Sequence, residues 1–250
     1  MIQGIYQSAA AADGLTTWNN VIARNLASSS SPAFKKDVVL FDGVYSGMMS
    51  YGANESKPLE QPAVLPTVGG GINFSTGDMH RTGDPQEFAI EGRGFFRLQR
   101  PDGEFVYTRD GQFHVGADGR LQSKQGYLVV GDSGPIQLLT EGGPMSVDPE
   151  GRVRQGDQQV GSFTIFDFQN LGALQRTNGG FVVDTAHGQA PQVVEGSHIQ
   201  QGFLEMSNVS PMYEMADLVT ISNALQANQR VLQNFDGMLD RAVQVLGSAS

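Results

Sequence analysis

Apolar and polar residues follow a helical pattern at both ends of the chain. Near the N terminus, a mostly apolar set of side chains recurs at steps of three and four residues, which places it on one face of a helix. Its members are Ile5, Ala9, Ala12, Leu15 or Thr16, Asn19, Ile22 and Leu26. Four serines and Pro32 follow, and both residue types oppose a helical backbone. The pattern predicts a helix over about residues 3–27.

The C-terminal pattern is a heptad repeat. Leucines recur every seven residues, and each of the first four is followed three residues later by a second position of the same seam. The seam consists of Leu218, Ile221, Leu225, Asn228, Leu232, Phe235, Leu239, Ala242 and Leu246. This spacing predicts a helix over about residues 212–246 that packs along another helix. Asn228 is its polar member, and a buried Asn in such a seam fixes register. Pro211 suits the first helical turn, with Ser210 or Asn208 as the cap.

Short apolar runs separated by turn residues fill the middle of the chain, which holds all but four of the 32 glycines. The runs predict strands at residues 87–90, 95–99, 105–108, 112–115, 127–130, 136–138, 160–167 and 181–184. Pro101-Asp102-Gly103, Ala117-Asp118-Gly119 and Pro149-Glu150-Gly151 supply hairpin turns. Residues 41–74 are rich in Gly, Ser, Pro and Asn instead. They are predicted to be a linker, or an arm that becomes ordered only against a neighbour.

Composition excludes several functional classes. The 250 residues suffice for one or two domains with a real core. The absence of cysteine excludes disulfide scaffolds, thiolate zinc sites and cysteine nucleophiles. With 26 acidic and 16 basic residues the net charge is -10, which argues against nucleic-acid binding. The first residues show no Sec-type signal and no long apolar run predicts a membrane span, so export by another route stays open.

Candidate catalytic chemistry is weak. The segment Gly131-Asp132-Ser133-Gly134-Pro135 resembles protease signatures, but a serine nucleophile needs a histidine and an acid beside it, and His114 is predicted to lie in an ordinary strand. These residue types are also the common turn residues, and we interpret the segment as a turn. The four histidines have no metal-binding spacing. We predict no catalytic, cofactor-binding or metal-binding residues and no enzyme, with a small hydrolase using Asp132 or Ser133 as the alternative.

Three motifs in order resemble the rod and hook family of bacterial flagellar axial proteins. The first runs from Asn25-Leu26-Ala27 to Phe34-Lys35, with Ser28, Ser31 and Ala33 where the family has Asn, Thr and Gly. The second comprises Gly92-Arg93-Gly94-Phe95-Phe96, Pro101-Asp102-Gly103, Tyr107-Thr108-Arg109-Asp110-Gly111, Asp118-Gly119-Arg120-Leu121 and Gly126-Tyr127. The third is Gly202-Phe203-Leu204-Glu205-Met206-Ser207-Asn208-Val209. Within the family, the chain is most similar to proximal rod members, and distal rod members are the alternative.

The resemblance implies an α+β fold in which the long N- and C-terminal helices form a coiled-coil core domain. A central, mainly antiparallel β domain lies between them in sequence. The implied domains are a discontinuous helical core of residues 1–40 and 205–250, a linker or arm at 41–74, and a β domain at 75–204. Because Ala33 replaces a glycine and alanine tolerates a positive φ less well, we expect the turn there to differ.

The resemblance also implies the function. The chain would be a structural subunit of the basal-body rod, a helical tube that transmits torque from motor to hook, exported by the flagellar type III apparatus without a cleavable signal peptide. Its partners would be other rod and hook subunits, and it would insert into no membrane and need no cofactor. The implied assembly interface is Asn25, Leu26, Phe34, Leu204, Asn208, Leu218, Leu225, Asn228, Leu232, Phe235 and Leu239. A non-flagellar interaction module, whose helices merely dimerise, is a further alternative.

Overall fold

The computed structural model describes residues 2–49, 61–139, 142–183, 190–194 and 196–247. The chain forms two compact units. The first, here called the terminal unit, comprises residues 1–27, 37–73 and 210–250. The second, here called the β unit, comprises residues 28–36 and 74–209. Each unit is therefore assembled from segments that are distant in the sequence.

The terminal unit contains two helices and a long hairpin. Helix α1 spans Ile2–Ala27 and helix α2 spans Pro211–Gly247. Strands β1 (Asp37–Met49) and β2 (Gln61–Ile72) pair antiparallel, with Asp37 opposite Ile72 and a register shift between Tyr45 and Met48. Helix α1 contacts α2 and also both strands. The segment 41–74, predicted as a linker or arm, contains most of this hairpin.

The predicted coiled-coil core domain is wrong. A coiled coil needs matched apolar seams on both helices so that knobs from each enter holes of the other. Among the side chains that the structure describes, the seam of α2 has no such counterpart, because the recurring positions of α1 include Ala9, Ala12 and Asn19 and α1 also packs against the hairpin. Accordingly, most of the described seam side chains of α2 are only half-buried. The structure shows two terminal helices and a β-rich middle instead of a long-helix core.

The β unit is built from short strands, and all of its strand pairs are antiparallel. In the described part of the chain these strands are β3 (Met79–Arg81), β4 (Phe88–Glu91), β5 (Phe95–Gln99), β6 (Phe105–Thr108), β7 (Phe113–Val115), β8 (Leu121–Ser123), β9 (Leu128–Val130), β10 (Met145–Val147), β11 (Arg152–Gln155), β12 (Gln158–Ser162), β13 (Ile165–Asp167), β14 (Leu174–Thr177), β15 (Gly180–Val183), β16 (Gln192–Val193), β17 (His198–Gln201) and β18 (Phe203–Glu205). A 3-10 turn, Leu171–Ala173, precedes β14.

The largest sheet has the order β14-β15-β6-β5-β9-β8-β7, and β13 joins it through β5 and carries β16. Strands β10-β11-β12 form a second sheet, and β17 pairs with β4 and β18 with β3. A continuous apolar core lies among these strands, because alternate side chains of a strand point to the same face. Its members include Phe88, Phe96, Leu98, Val106, Leu121, Val129, Val153 and Ile199.

The three predicted hairpin turns are confirmed. They connect β5 to β6, β7 to β8, and β10 to β11. Gly103, Gly119 and Gly151 each have a positive φ, which is the conformation that glycine adopts at no steric cost. Strands β5 and β6 also have the predicted limits. Residues 136–138 form no strand, although Gln137 makes an isolated bridge to Arg120.

Candidate functional site

The two terminal helices run antiparallel and are joined by two amide side chains. Near the start of α1, the Ser8 carbonyl oxygen accepts a hydrogen bond of 2.8 Å from Nδ2 of Asn228, far along α2. Near the end of α1, Nδ2 of Asn25 donates to Oε2 of Glu214, in the first turn of α2, at 3.2 Å. The polar position of the heptad seam therefore contacts α1.

Asn25 also fixes the start of the hairpin. Its side chain is buried and exchanges two hydrogen bonds with the backbone of Asp37, one from Asn25 Nδ2 to the Asp37 carbonyl and one from the Asp37 N–H to Asn25 Oδ1, both 2.9 Å. One amide thus connects the end of α1, the start of β1 and the start of α2. The neighbouring Leu26 is half-buried.

The predicted interface residues of α2 have similar burial wherever the structure describes their side chains. Leu218, Leu225, Asn228, Leu232 and Phe235 are half-buried. Leu239 lies in the helix, but its side chain is outside the described part of the structure. Helix α2 begins at Pro211, as predicted, and the N–H of Glu214 donates to the Ser210 carbonyl at 3.1 Å. Asn208, the other candidate cap, is used in the β unit instead.

In the β unit, Asn208 holds residues 28–36, here called the strap. Its N–H donates to the Phe34 carbonyl at 3.3 Å, and its Oδ1 accepts the Lys36 N–H at 2.7 Å. Its Nδ2 donates to the carbonyl and hydroxyl oxygens of Ser75 at 2.9 and 3.0 Å. Phe34 is half-buried and lies 4.5 Å beneath the guanidinium of Arg176. Leu204 is buried in β18.

A buried group of three charged side chains, here called the ion cluster, lies beside these contacts. Lys35 and Glu205 are each 1% exposed, and Lys35 Nζ donates to Glu205 Oε1 and, at 2.8 Å, to the Ser75 carbonyl. Glu205 Oε1 also accepts the Gly77 N–H at 2.9 Å. Glu205 Oε2 accepts Nη1 of buried Arg109 at 3.2 Å. The single carboxylate therefore faces two cations.

Backbone carbonyls complete the coordination of Arg109. Its Nη1 donates to Ile90 at 3.1 Å and its Nη2 to Gly92 at 2.7 Å. Burial lowers the pKa of Lys35 below its ordinary value, and the Glu205 carboxylate opposes this shift. The same two influences act on Arg109, whose pKa is also lowered. Removing the Glu205 carboxylate from this cluster would leave two uncompensated buried cations.

Known proteins resemble the chain along its whole length. The flagellar basal-body rod protein FlgF of Mesorhizobium japonicum is 30% identical, over 100% of both chains. FlgF of Caulobacter vibrioides is 31% identical over 91% of each chain. The flagellar basal-body rod protein FlgG of Bacillus subtilis is 27% identical over 98% of this chain and 99% of that one. The chain belongs to the flagellar basal-body rod family. It is a structural rod subunit of the flagellar basal body.

Two family profiles match parts of this rod subunit. The one described as the flagellar hook protein FlgE/F/G D1 domain matches residues 89–155, and the flagellar basal body rod FlgEFG protein C-terminal profile matches residues 200–245. The first includes Arg109, and the second includes Glu205, Asn208 and most of α2. Lys35 lies outside both matched ranges.

The ion cluster of the rod subunit was not predicted from the sequence. Its signal was present, because Lys35, Arg109 and Glu205 each lie in a different one of the three quoted motifs. Charged residues are rarely fully buried unless they are paired, so a charged residue in each of three motifs could have suggested a common buried site.

The turn at Ala33 of the rod subunit keeps a conformation that suits glycine. Its φ is 57°, and among the described residues it is the one residue other than glycine with a positive φ. Its N–H donates to the Glu205 carbonyl at 2.8 Å, which anchors the strap at that point. The left-handed region costs a residue with a Cβ about 1–2 kcal/mol. The rod subunit therefore carries local strain next to the ion cluster.

The alternative catalytic residues of the rod subunit form a turn. Asp132 Oδ1 accepts the N–H of the adjacent Ser133 at 2.7 Å, and Ser133 is exposed. His114 lies in β7 and is exposed. Among the residues that the structure describes, no group of three or more His, Cys, Asp and Glu side chains could hold a metal ion. None of the described helices is long and apolar enough to cross a membrane.

Proposed function

We propose that the terminal unit carries the contacts by which this rod subunit joins its neighbours in a helical tube that transmits torque from motor to hook. The observation that supports this most directly is a set of uncovered apolar side chains on α2. Met212 is 72% exposed, Met215 55% and Val219 60%. Their spacing of three and four residues puts them on one face of the helix. Exposed apolar patches on otherwise polar surfaces are typical of interaction sites.

The predicted seam supports the same proposal. Leu218, Leu225, Leu232 and Phe235 keep part of their surface uncovered in the single chain, so a neighbour's helix can bury more of it. Burying apolar surface contributes about 25 cal/mol per Å². Leu239 completes the proposed interface, in which Asn228 sets the register between α1 and α2.

The remaining interface residues act within the chain. Asn25 and Leu26 lie at the end of α1, and Phe34, Leu204 and Asn208 belong to the strap and its partners. We propose that they contribute to assembly by fixing where the terminal segments begin and end. We infer further that the subunit is of the FlgF type, has no enzymatic activity and uses the flagellar type III export apparatus. Its family membership supports these inferences, together with the turn formed by Asp132 and Ser133.

Single cysteines test the proposed interface, because the chain has no cysteine of its own. Met212→Cys and Val219→Cys are expected to react with a maleimide reagent in the purified monomer and to be protected in isolated basal bodies. Ser133→Cys, on an exposed turn of the β unit, serves as the matched control for the reagent's access to the assembled subunit. Undiminished labelling of both α2 positions in basal bodies that contain the subunit would contradict the proposal.

A further inference from the structure

A cleft of about 650 Å³ opens in the β unit, apart from the ion cluster and the strap. It lies where β13 and β9, which pair with successive parts of β5, diverge from each other. Phe95 and Phe96 of β5 pair with β13, whereas Arg97 pairs with Val130 of β9. Arg97 therefore stands at the fork between β13 and β9. The cleft is lined by Arg97, Phe163, Ile165, Phe166, Val193 and Ile199, together with the polar residues Asp132, Glu150, Ser197 and His198.

Two aromatic rings hold the guanidinium of Arg97 in place. Its central carbon lies 4.3 Å from the ring centre of Phe166 and 4.8 Å from that of Phe105. Guanidinium groups stack on aromatic faces through cation–π attraction. The side chain is half-buried, so the stacked group is partly withdrawn from water. Its orientation is thus set before any ligand arrives.

The hydrogen-bonding capacity of Arg97 is largely unused. A guanidinium has five N–H donors, and Nη2 makes one long contact of 3.4 Å to the Gly131 carbonyl. Its Nε is shielded from solvent and has no hydrogen-bond partner among the described residues. Nη1 also has no hydrogen-bond partner among the described residues, so the two terminal nitrogens keep donors for a ligand. A carboxylate would match this group best, because it accepts two parallel hydrogen bonds from a guanidinium.

We propose that this cleft binds a carboxylate joined to apolar groups, with Arg97 as the cation that recognises it. Since Nε is shielded, the carboxylate meets the two terminal nitrogens. The ligand's apolar part lies against the Phe163, Ile165 and Val193 side of the cleft, where Val193 is 61% exposed. Apolar contact is required, because the charges of Asp132 and Glu150 oppose a bare anion. This inference is independent of the role proposed for the terminal helices.

Two sources offer this chemistry, namely an acidic side chain of a neighbouring subunit and a free organic acid. NMR titration of the isotope-labelled full chain with Ac-Val-Asp-Leu-NH2 and with benzoate separates them. The matched neutral probes are Ac-Val-Asn-Leu-NH2 and benzamide. At least one acid is expected to shift the resonances of Arg97, Ile165 and Val193 and to bind about tenfold more tightly than its neutral counterpart. Preference for the peptide indicates a protein ligand, and preference for benzoate an organic acid.

Two substitutions with opposite expected effects on acid binding test the proposal further. Arg97→Met is expected to remove the preference for the acid, and Asp132→Asn to increase acid affinity severalfold by removing a repelling charge. Arg97→Lys keeps the charge without the planar fork and should lose part of the preference, which keeps the test open should Arg97→Met not fold. Arg100→Met is the control, since Arg100 pairs with Asp102 and Glu104 outside the cleft. Equal binding of acid and neutral probes, or full preference in Arg97→Met, would overturn the proposal.

Discussion

At the scale of single residues, Glu205 has the largest expected effect on stability. Its carboxylate accepts hydrogen bonds from Lys35 and Arg109, and both cations are buried. The consequences of losing one charge are therefore unequal. Without Lys35, the carboxylate still faces Arg109 and the two charges balance. Without the carboxylate, two like charges remain in a site that excludes water.

Glu205→Gln is expected to lower the free energy of unfolding by about 3–5 kcal/mol, the usual cost of leaving a buried charge without its partner. Lys35→Met is expected to lower the free energy of unfolding by clearly less, because Arg109 still neutralises the carboxylate. Urea denaturation of both variants measures the two changes. Glu150→Gln, which alters an exposed pair with Arg152, is the control and should change stability by less than about 1 kcal/mol. A larger loss in Lys35→Met than in Glu205→Gln would show that the cluster is not organised around the carboxylate.

Ala33→Gly is expected to stabilise the protein by about 0.5–1 kcal/mol. It removes the cost of a positive φ, and the greater freedom of glycine in the unfolded chain offsets part of that gain. Ala9→Gly, at an exposed position of α1, is the matched control and should destabilise by about 0.5–1 kcal/mol. Thermal unfolding of the two variants shows directly whether each substitution raises or lowers the stability. The same sign for both would refute strain at Ala33.

Asp110 gives the stability a dependence on pH. Burial raises its pKa above the ordinary value, while the hydrogen bond from the Gln112 N–H and the charge of Lys124 oppose the shift. The folded state therefore holds the proton more tightly than the unfolded state. The contribution of Asp110 to stability falls as the pH rises from the ordinary Asp pKa of about 4 through the folded value.

The change in the free energy of unfolding caused by Asp110→Asn is accordingly expected to be more favourable at about pH 7 than at about pH 3. The amide oxygen can keep the hydrogen bond from Gln112, so the change isolates the charge. Urea midpoints at the two pH values measure the effect. Asp118→Asn alters an exposed turn with the same type of backbone hydrogen bond and serves as control. An Asp110→Asn protein less stable than wild type at neutral pH would contradict the assigned direction.

At the scale of elements, Asn228 supplies one of the two amide hydrogen bonds between the terminal helices. Asn228→Ala removes the hydrogen bond to Ser8. It should lower the free energy of unfolding by about 1 kcal/mol relative to the same substitution at Asn223. Asn223 is exposed on α2, so Asn223→Ala should stabilise by a few tenths of a kcal/mol, about the difference in helix propensity. Chemical denaturation followed by circular dichroism compares the two. Equal effects would mean that the Asn228 bond does not contribute to the pair.

Elements with strong local signals were predictable. Strands β5 and β6 are aromatic and β-branched runs joined by a Pro-Asp-Gly turn, and both have the predicted limits. Hairpin β1–β2 was predicted as a linker or arm, because Gly69-Gly70-Gly71 and the prolines of β2 suppress any strand signal. Cross-strand pairing along the whole ribbon overrides those propensities. The coiled-coil prediction failed because a seam on one helix does not reveal what its partner offers.

At the scale of the whole molecule, the strap should follow the β unit in its stability. The N–H groups of Ala33 and Lys36 both donate to residues of the 203–209 segment. In hydrogen exchange of the full chain, peptides covering the strap are therefore expected to exchange as slowly as those covering β18. They should stay slow when α1 is opened by low urea. Strap peptides that exchange together with α1 would contradict this grouping.

The candidate sites were less predictable than the fold. The motifs predicted Asn25, Phe34, Leu204 and Asn208 as interface residues, but hydrogen bonds between residues far apart in the chain cannot be deduced from spacing. The ion cluster is the clearest example, since the three motifs contain Lys35, Arg109 and Glu205 but do not show that these side chains meet. Arg97 had no signal in the sequence, because its proposed role depends on the fork between β9 and β13.

The ion cluster also has a consequence for the order of folding. Lys35 and Glu205 are 170 positions apart, so the chain must close a very long loop before they meet. Each doubling of a loop adds about 0.6 kcal/mol of entropic cost, and this cost must be met before the contact can contribute. Chains that end before β18 would hold two cations with no carboxylate to receive them. We therefore expect the β unit to close only when nearly the whole polypeptide is available.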